Sequence, residues 1–389
     1  MTTTTTDTVA ETLISVGFSF FVAGVNDGST GALLPYVIRE HGISTAIVSS
    51  VYGANFAGWF SAAVANAHLC SHLDLGATLA LGAACQVAAH GLRAWDPPFG
   101  LGTRWRRASP GAHRWLAAIH AAYMAGCLAG PFAATAVAAV SRWHLFYAFP
   151  LAVGVANLAL VLVAFRDSLR LKADRDRDGD TRPSRSGEAW RLIRATAATP
   201  SVWFLCAFFF FYLGSVLTAS GWVVEYLVDV RRGSLSQVGY VPAGFNGGAL
   251  LGRLLLAEPT HRFGERGMVF VYCLVSTALQ LVFWLVPNII AASIAVSFIG
   301  FFTGPLFATG ISLGSKLFPR HIHSTALALV FVSAQMGGSL FPVITGVVSS
   351  NAGVQVLQPI LVGLLAATPI SWLCVPRPKD SAHAGLHQE

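Results

Sequence analysis

Charge is the first thing this sequence lacks. Of its 389 residues only 11% are charged while 54% are hydrophobic, and mean hydropathy is +0.61. A soluble domain carries roughly 25% charged residues, so a water-soluble globule is excluded and a membrane-embedded chain is implied. Cysteine is nearly as uninformative. Cys70, Cys85, Cys127, Cys206, Cys273 and Cys374 form no C-x-x-C pair and lie mostly in apolar runs, which fits small buried hydrophobes rather than a disulfide or zinc framework. No Ser-His-Asp arrangement, phosphate loop or pair of catalytic carboxylates is present, so neither an enzyme nor a bound cofactor is expected. His68, His72 and Asp74 have helical spacing but lack an H-E-x-x-H pattern, and no metal is expected there. Basic patches interleaved with aromatics are also missing. The net charge of +7 therefore reports membrane topology and not a nucleic-acid partner. The opening "MTTTTTDTVAE" lacks the basic region of a cleaved signal peptide, so the first span is expected to act as an uncleaved signal anchor.

What is present is a series of apolar runs, each of about 20 residues and long enough to cross a hydrocarbon core of about 30 Å. They lie near 12–36, 43–67, 73–92, 113–140 and 144–165, then 201–228, 238–257, 268–287, 289–314, 323–349 and 353–375. The expected organisation is a transmembrane bundle over 1–165, a basic linker over 166–199, a second bundle over 200–376 and a polar tail over 377–389. In the second half, Arg262 and Arg266 share one loop, and Lys316 and Arg320 lie two loops later; the loops that alternate with them, "VPN" and "SSNAG", are uncharged. Basic loops favour the cytoplasm, so linker and tail are expected there.

The halves repeat. Gly42, Gly53 and Asn55 recur at identical spacing as Gly233, Gly244 and Asn246, and Gly126 to Pro131 has the spacing of Gly337 to Pro342. Two similar bundles joined by a linker is a common plan for secondary transporters. The repeat also exposes a defect. Where the second half has the apolar run 289–314, the first has only "RAWDPPFGLGTRWRRA", and each central Arg there would cost about 2.5–3.5 kcal/mol to insert. About eleven spans are expected where the repeat implies twelve, with the fourth helix of the first bundle missing and the side of the N-terminus in question.

The stretches "NDGSTGALLPY", "HRWLAAIHAAY", "RWHLFY", "GRLLLAEPTHRFGER", "GFFTGPLFATGISLGSKLFPRHIH" and "VQVLQPI" resemble the major facilitator superfamily, in the branch of the fucose–proton symporter and its fungal relatives. The resemblance spans nearly the whole chain except about 93–112. It implies an all-α polytopic fold of two pseudo-repeated bundles, most often in the plasma membrane with both termini cytoplasmic. Gly252, Arg253, Arg262, Gly264 and Arg266 match the family's loop signature, which braces the cytoplasmic side of a bundle by charge pairing. The first-half counterpart keeps Asp74 and Gly76 without the arginines. Gly126, Gly130 and Pro131 match the Gly-x-x-x-Gly-Pro pattern of the fifth family helix, where small residues allow close helix approach. In this branch the Asp of the first-helix "ND" takes part in proton coupling, and Asp27 matches it. Two departures stand out. A carboxylate that some relatives carry in the fourth helix has no place here, and Ser215 and Val216 stand near where others carry an acidic or amide residue.

An intramembrane carboxylate points to function by default. The structural alternative for Asp27 is bonding to nearby backbone or to Ser29 and Thr30. Asn26 reads equally as a ligand for a sugar hydroxyl and as a helix-distorting partner. Asn246, Gln280 and Gln335 suit a cavity lining or interhelical hydrogen bonds. His120 suits a proton relay or a bond to a facing helix. Glu225 lies near a span end where solvation is easy, and Tyr212, Trp222, Trp284 and Phe208 to Phe211 read as lipid-facing or interfacial anchors. The expected function is transport of a small polar solute, sugar or sugar-like, with protons. The alternative is a member that kept the architecture but lost transport.

Overall fold

The computed structural model describes residues 3–95, 113–166, 185–319 and 321–376, and the regular elements among them are all helices. The first half holds α1 (Thr3–His41), α2 (Thr45–His72), α3 (Leu75–Ala94), α4 (His113–Val140) and α5 (Ala148–Ala164), the last entered through a 3-10 turn at Trp143–Tyr147. A linker helix, α6 (Arg185–Ala197), precedes the second half. That half holds α7 (Pro200–Asp229), the short α8 (Leu235–Val238), α9 (Val241–Leu255), α10 (Ala257–Phe263), α11 (Glu265–Leu285), α12 (Ile289–Thr303), α13 (Leu306–Leu317), α14 (His323–Ala352) and α15 (Leu357–Cys374). The apolar run expected over 289–314 is thus two helices. Gly304 and Pro305 separate them, because a proline removes a backbone donor and clashes with the preceding turn. Asn288 caps α12 by accepting hydrogen bonds from the backbone N–H groups of Ile290 and Ala291 at 2.8 and 3.1 Å. The residues of the charged stretch 96–112, of the linker core 167–184 and of the tail 377–389 lie outside the described residues.

By length and composition, seven of the described segments are apolar enough to cross a membrane. The four other expected spans, in α1, α2, α3 and α9, are the polar or small-residue helices: "NDGST" interrupts α1, and α9 has only 15 residues. Helices that line an interior rather than meet lipid have no need of a uniformly apolar surface.

The packing reproduces the sequence repeat. α1 lies on α4 as α7 lies on α14, α3 on α5 as α11 on α15, and α1 on α5 as α7 on α15. Gly126 comes so close to α1 that a Cβ there would sit 2.1 Å from the Phe21 carbonyl oxygen. Its repeat mate Gly337 stands 2.0 Å from the Phe210 carbonyl oxygen by the same measure. One relation breaks the symmetry. α9 and α11 both pack on α12, whereas among the described residues α2 and α3 have no such shared partner. Asn55 precedes Gly126 by 71 residues but Asn246 precedes Gly337 by 91, so the first half is 20 residues short between the same two landmarks. Twenty residues is one membrane span.

The halves are clasped where α1, α4, α7 and α14 end, the face opposite the linker. α2 lies along α14, with Thr45 donating to the Gly346 carbonyl at 2.9 Å. Gly31 of α1 backs onto the Ser220 carbonyl of α7, and the Tyr52 ring of α2 covers Gly221. An apolar seam joins Leu34, Val48 and Tyr52 of the first half to Trp222, Leu227 and Phe245 of the second. In a bilayer lipid is as apolar as leucine, so tight packing and small residues hold such helices together more than burial does.

Candidate functional site

α1 runs as one helix through Asn26 and Asp27, so Asn26 causes no break there. Asp27 is exposed although it lies midway along the expected span. Its Oδ2 accepts a hydrogen bond from the Tyr123 hydroxyl of α4 at 2.9 Å, and its Oδ1 accepts one from the Asn26 side-chain amide at 3.2 Å. The Asn26 Oδ1 in turn accepts from the guanidinium of Arg93, in the last turn of α3, and that guanidinium also stands 5.5 Å from the centroid of the Tyr147 ring. The hydroxyls of Ser29 and Thr30 donate to the Asn26 carbonyl, at 2.9 and 3.1 Å.

This cluster depends on how closely α1 and α4 approach. A Cβ on Gly24 would lie 2.0 Å from the Tyr123 carbonyl oxygen, and one on Gly28 2.4 Å from that of Cys127. Gly126 and Gly130 reciprocate toward Phe21 and Val25. Two interlocked Gly-x-x-x-Gly pairs therefore bring the Tyr123 phenol within reach of Asp27. Pro131 follows on α4 without ending the helix.

The second half contributes less to this place. Asn246 of α9 is buried and donates to the Cys127 carbonyl at 3.0 Å, tying α9 to α4 across the two halves. Gln335 is half-buried on α14. Gln280 donates to Gln358 at 2.5 Å and, with Ser215, Phe245 and Thr303, lines a small cavity inside the second bundle. Of the loop signature, Arg253 donates to the Gly304 carbonyl at 3.0 Å and lies over the Phe307 ring, Gly252 meets the Phe301 carbonyl, and Gly264 adopts φ +96°, a turn suited to glycine. Arg266 donates to the Leu373 carbonyl at 2.8 Å, and Arg262 is exposed. A charge pair in this region joins Glu265 to Lys316 at 2.7 Å.

Several expectations need correction. Glu225 is buried rather than easily solvated, and accepts a hydrogen bond from Arg39 of α1 at 3.0 Å. Phe208, Phe209, Tyr212 and Trp222 are not lipid-facing. They are enclosed by α9, α11, α13, α14 and α15, because α7 is the central helix of its bundle, while Trp284 is exposed as expected. The side chains of His68, His72 and His120 lie outside the described residues, and no group of metal-ligating residues occurs among those described. The sequence reading missed Tyr123, Arg93 and Arg39. Arg93 and Arg39 lie at span ends, where a cation ordinarily anchors the interface.

The arrangement offers a reachable carboxylate, a phenol, a carboxamide and a guanidinium on three helices. Such a set can hold a hydroxylated solute by several hydrogen bonds and exchange a proton at Asp27. A sequence model of the Major Facilitator Superfamily matches residues 109–342 and 223–388. Bypass of stop codon protein 6 of Saccharomyces cerevisiae is 23% identical over 402 residues, covering 92% of this chain and 81% of that protein. In fold, the chain is similar to a bacterial homologue of the human lysosomal transporter Spinster in an inward-facing, unoccupied conformation (TM-score 0.68, 12% identity, 93% of this chain and 95% of that one). It is also similar to the nucleoside transporter NupG (TM-score 0.66, 11% identity, 94% and 99%) and to the E. coli fucose:proton symporter (TM-score 0.60, 15% identity, 94% and 98%).

Proposed function

Because the chain belongs to the major facilitator superfamily, a family of integral-membrane transporters and not of enzymes, we propose that it carries a small polar solute, sugar or sugar-like, together with protons across the plasma membrane. The observation that carries this reading is Asp27: a carboxylate exposed midway along α1, hydrogen-bonded to Tyr123 and Asn26, one helical turn from where α1 meets α7. Asn26 and Arg93 are the proposed solute contacts beside it, with Asn246 and Gln335 the contributions of the second bundle. Access alternates as one bundle moves against the other around this place. The fold-mate that moves fucose with protons supports the solute class and the coupling. The test is uptake by proteoliposomes holding the 389-residue chain under a proton gradient. Asp27→Asn should abolish gradient-driven accumulation and keep counterflow exchange, since an amide resembles the protonated carboxyl. Accumulation by the variant equal to that of the unaltered chain would refute the coupling role.

A second reading is favoured by one observation, that among the described residues α2 and α3 have no shared partner matching α12. On that reading the chain keeps the architecture without transport. No solute would then accumulate, and insertion of an apolar span of about 20 residues between Phe99 and Thr103 would restore uptake.

A further inference from the structure

Arg253 belongs by pattern to a cytoplasmic loop signature, yet by depth it belongs to the membrane interior. Its Nε donates to the Gly304 carbonyl at 3.0 Å, and Gly304 lies at the middle of the apolar passage Ile289–Leu317. The Tyr212 hydroxyl stands beside the guanidinium, and Tyr212 is close to the middle of Pro200–Asp229. The signature's other arginines, Arg262 and Arg266, sit at the end of α10 and the start of α11. An ionised side chain at mid-membrane is costly and is retained where it pairs or meets a ligand. Arg253 is half-buried, and the ion pairs among the described residues are Arg39–Glu225 and Glu265–Lys316, so no carboxylate there neutralises it. The Phe307 ring centroid lies 5.9 Å from the guanidinium carbon. With Nε engaged by Gly304, the Nη fork remains to take a carboxylate or a phosphate by two parallel bonds. Its position on α9 turns this fork toward the first bundle. Asn246, about two helical turns earlier on the same face, donates to the Cys127 carbonyl of α4 at 3.0 Å. The Cys127 thiol lies within electrostatic reach of both Arg253 and Asp27. A carboxylate of the first half and a cation of the second thus flank one stretch of α4.

We propose that Arg253 is an anion-binding contact of the second bundle, and that the solute is a hydroxylated molecule bearing an anionic oxygen group, a carboxylate or a phosphate. The inference rests on the reading that the chain carries a small polar solute, and deepens it by fixing the solute's charge. When Asp27 takes a proton, Arg253 keeps its charge, and the anionic group of the solute supplies the countercharge. Proton and solute therefore enter together. A neutral sugar would leave the guanidinium uncompensated in an interior of low dielectric.

The test titrates the full chain in lipid nanodiscs with D-glucose, D-glucuronate and D-glucose 6-phosphate by isothermal calorimetry. At least one acidic probe should bind about tenfold more tightly than glucose, the effect of charge-assisted hydrogen bonds. Which of the two does so tells carboxylate from phosphate. Arg253→Gln should lower that affinity to the level of glucose, and Arg253→Lys, which keeps the charge without the fork, should retain part of it. The absence of any preference in the unaltered chain overturns the proposal without recourse to a variant. So does a preference that survives in Arg253→Gln, which would assign the anion to another cation such as Arg93. Uptake by proteoliposomes is read separately. Binding of an acidic probe without accumulation refutes the transport reading and leaves the anion site standing. Accumulation of glucose with no preference for either acid refutes the anion site and leaves transport standing.

Discussion

Glu225 is buried, and its 3.0 Å cationic partner Arg39 comes from the other half of the molecule, with 41% of that side chain open to solvent. A charge taken from water is tolerated while it is paired, and removing only its partner leaves it uncompensated. Arg39→Met should therefore loosen the clasp more than Glu225→Gln, which removes the buried charge itself. The measurement is the labelling rate, from the face opposite the linker, of a cysteine introduced at Thr30. Faster labelling in Glu225→Gln than in Arg39→Met would contradict the pairing argument. These residues also mark what the sequence concealed. Asp27 stood out because a carboxylate in an apolar run points to function by default. Tyr123 and Arg93, 96 and 67 residues from the side chains they touch, did not. One is an aromatic in an aromatic-rich chain and the other an ordinary span-end cation, and only the helix crossing gives them meaning.

Among elements, the crossing of α1 and α4 is the most demanding contact. Gly24→Val would press branched carbons into the Tyr123 carbonyl, from which even a Cβ stands only 2.0 Å. Overpacking of this kind costs about 1–3 kcal/mol when neighbours yield, and backbone yields poorly. A lowered thermal midpoint and loss of the monodisperse peak in detergent are expected. Gly82→Ala, on α3 with nothing within 4 Å of the added carbon, should leave both unchanged or improved. A stable Gly24→Val protein would mean that the helices do not meet as described. Gly126 was legible from its repeat at Gly337 and Gly130 from the family pattern, but Gly24 and Gly28 were not. With 38 glycines in the chain, a single four-residue spacing carries no weight without its partner helix.

For the whole molecule, six passages between Pro200 and Cys374, counting α12 and α13 as one, are the reading under which linker and tail are expected to leave on the same side. Arg262, Arg266 and Lys316 fall on that side too, as the alternation of loop charge implied. Cysteines introduced at Ser184 and Ser381 should resist an impermeant thiol reagent in intact cells and react after lysis; labelling of either in intact cells would reverse the orientation. The all-helical class and the order of the apolar helices were legible because apolar length is a local property. Which helix touches which was not, since that depends on side-chain shape across the membrane. One consequence concerns α2. It lies along α14 of the opposite half, while in its own half nothing described buttresses it as α12 buttresses α9. Mechanically, then, the border between moving bodies does not follow the linker: α2 is carried by the second half and strung from the first by two short turns, at residues 42–44 and 73–74. In any rocking of the halves it acts as a strap, paying out at its ends before the clasp lets go.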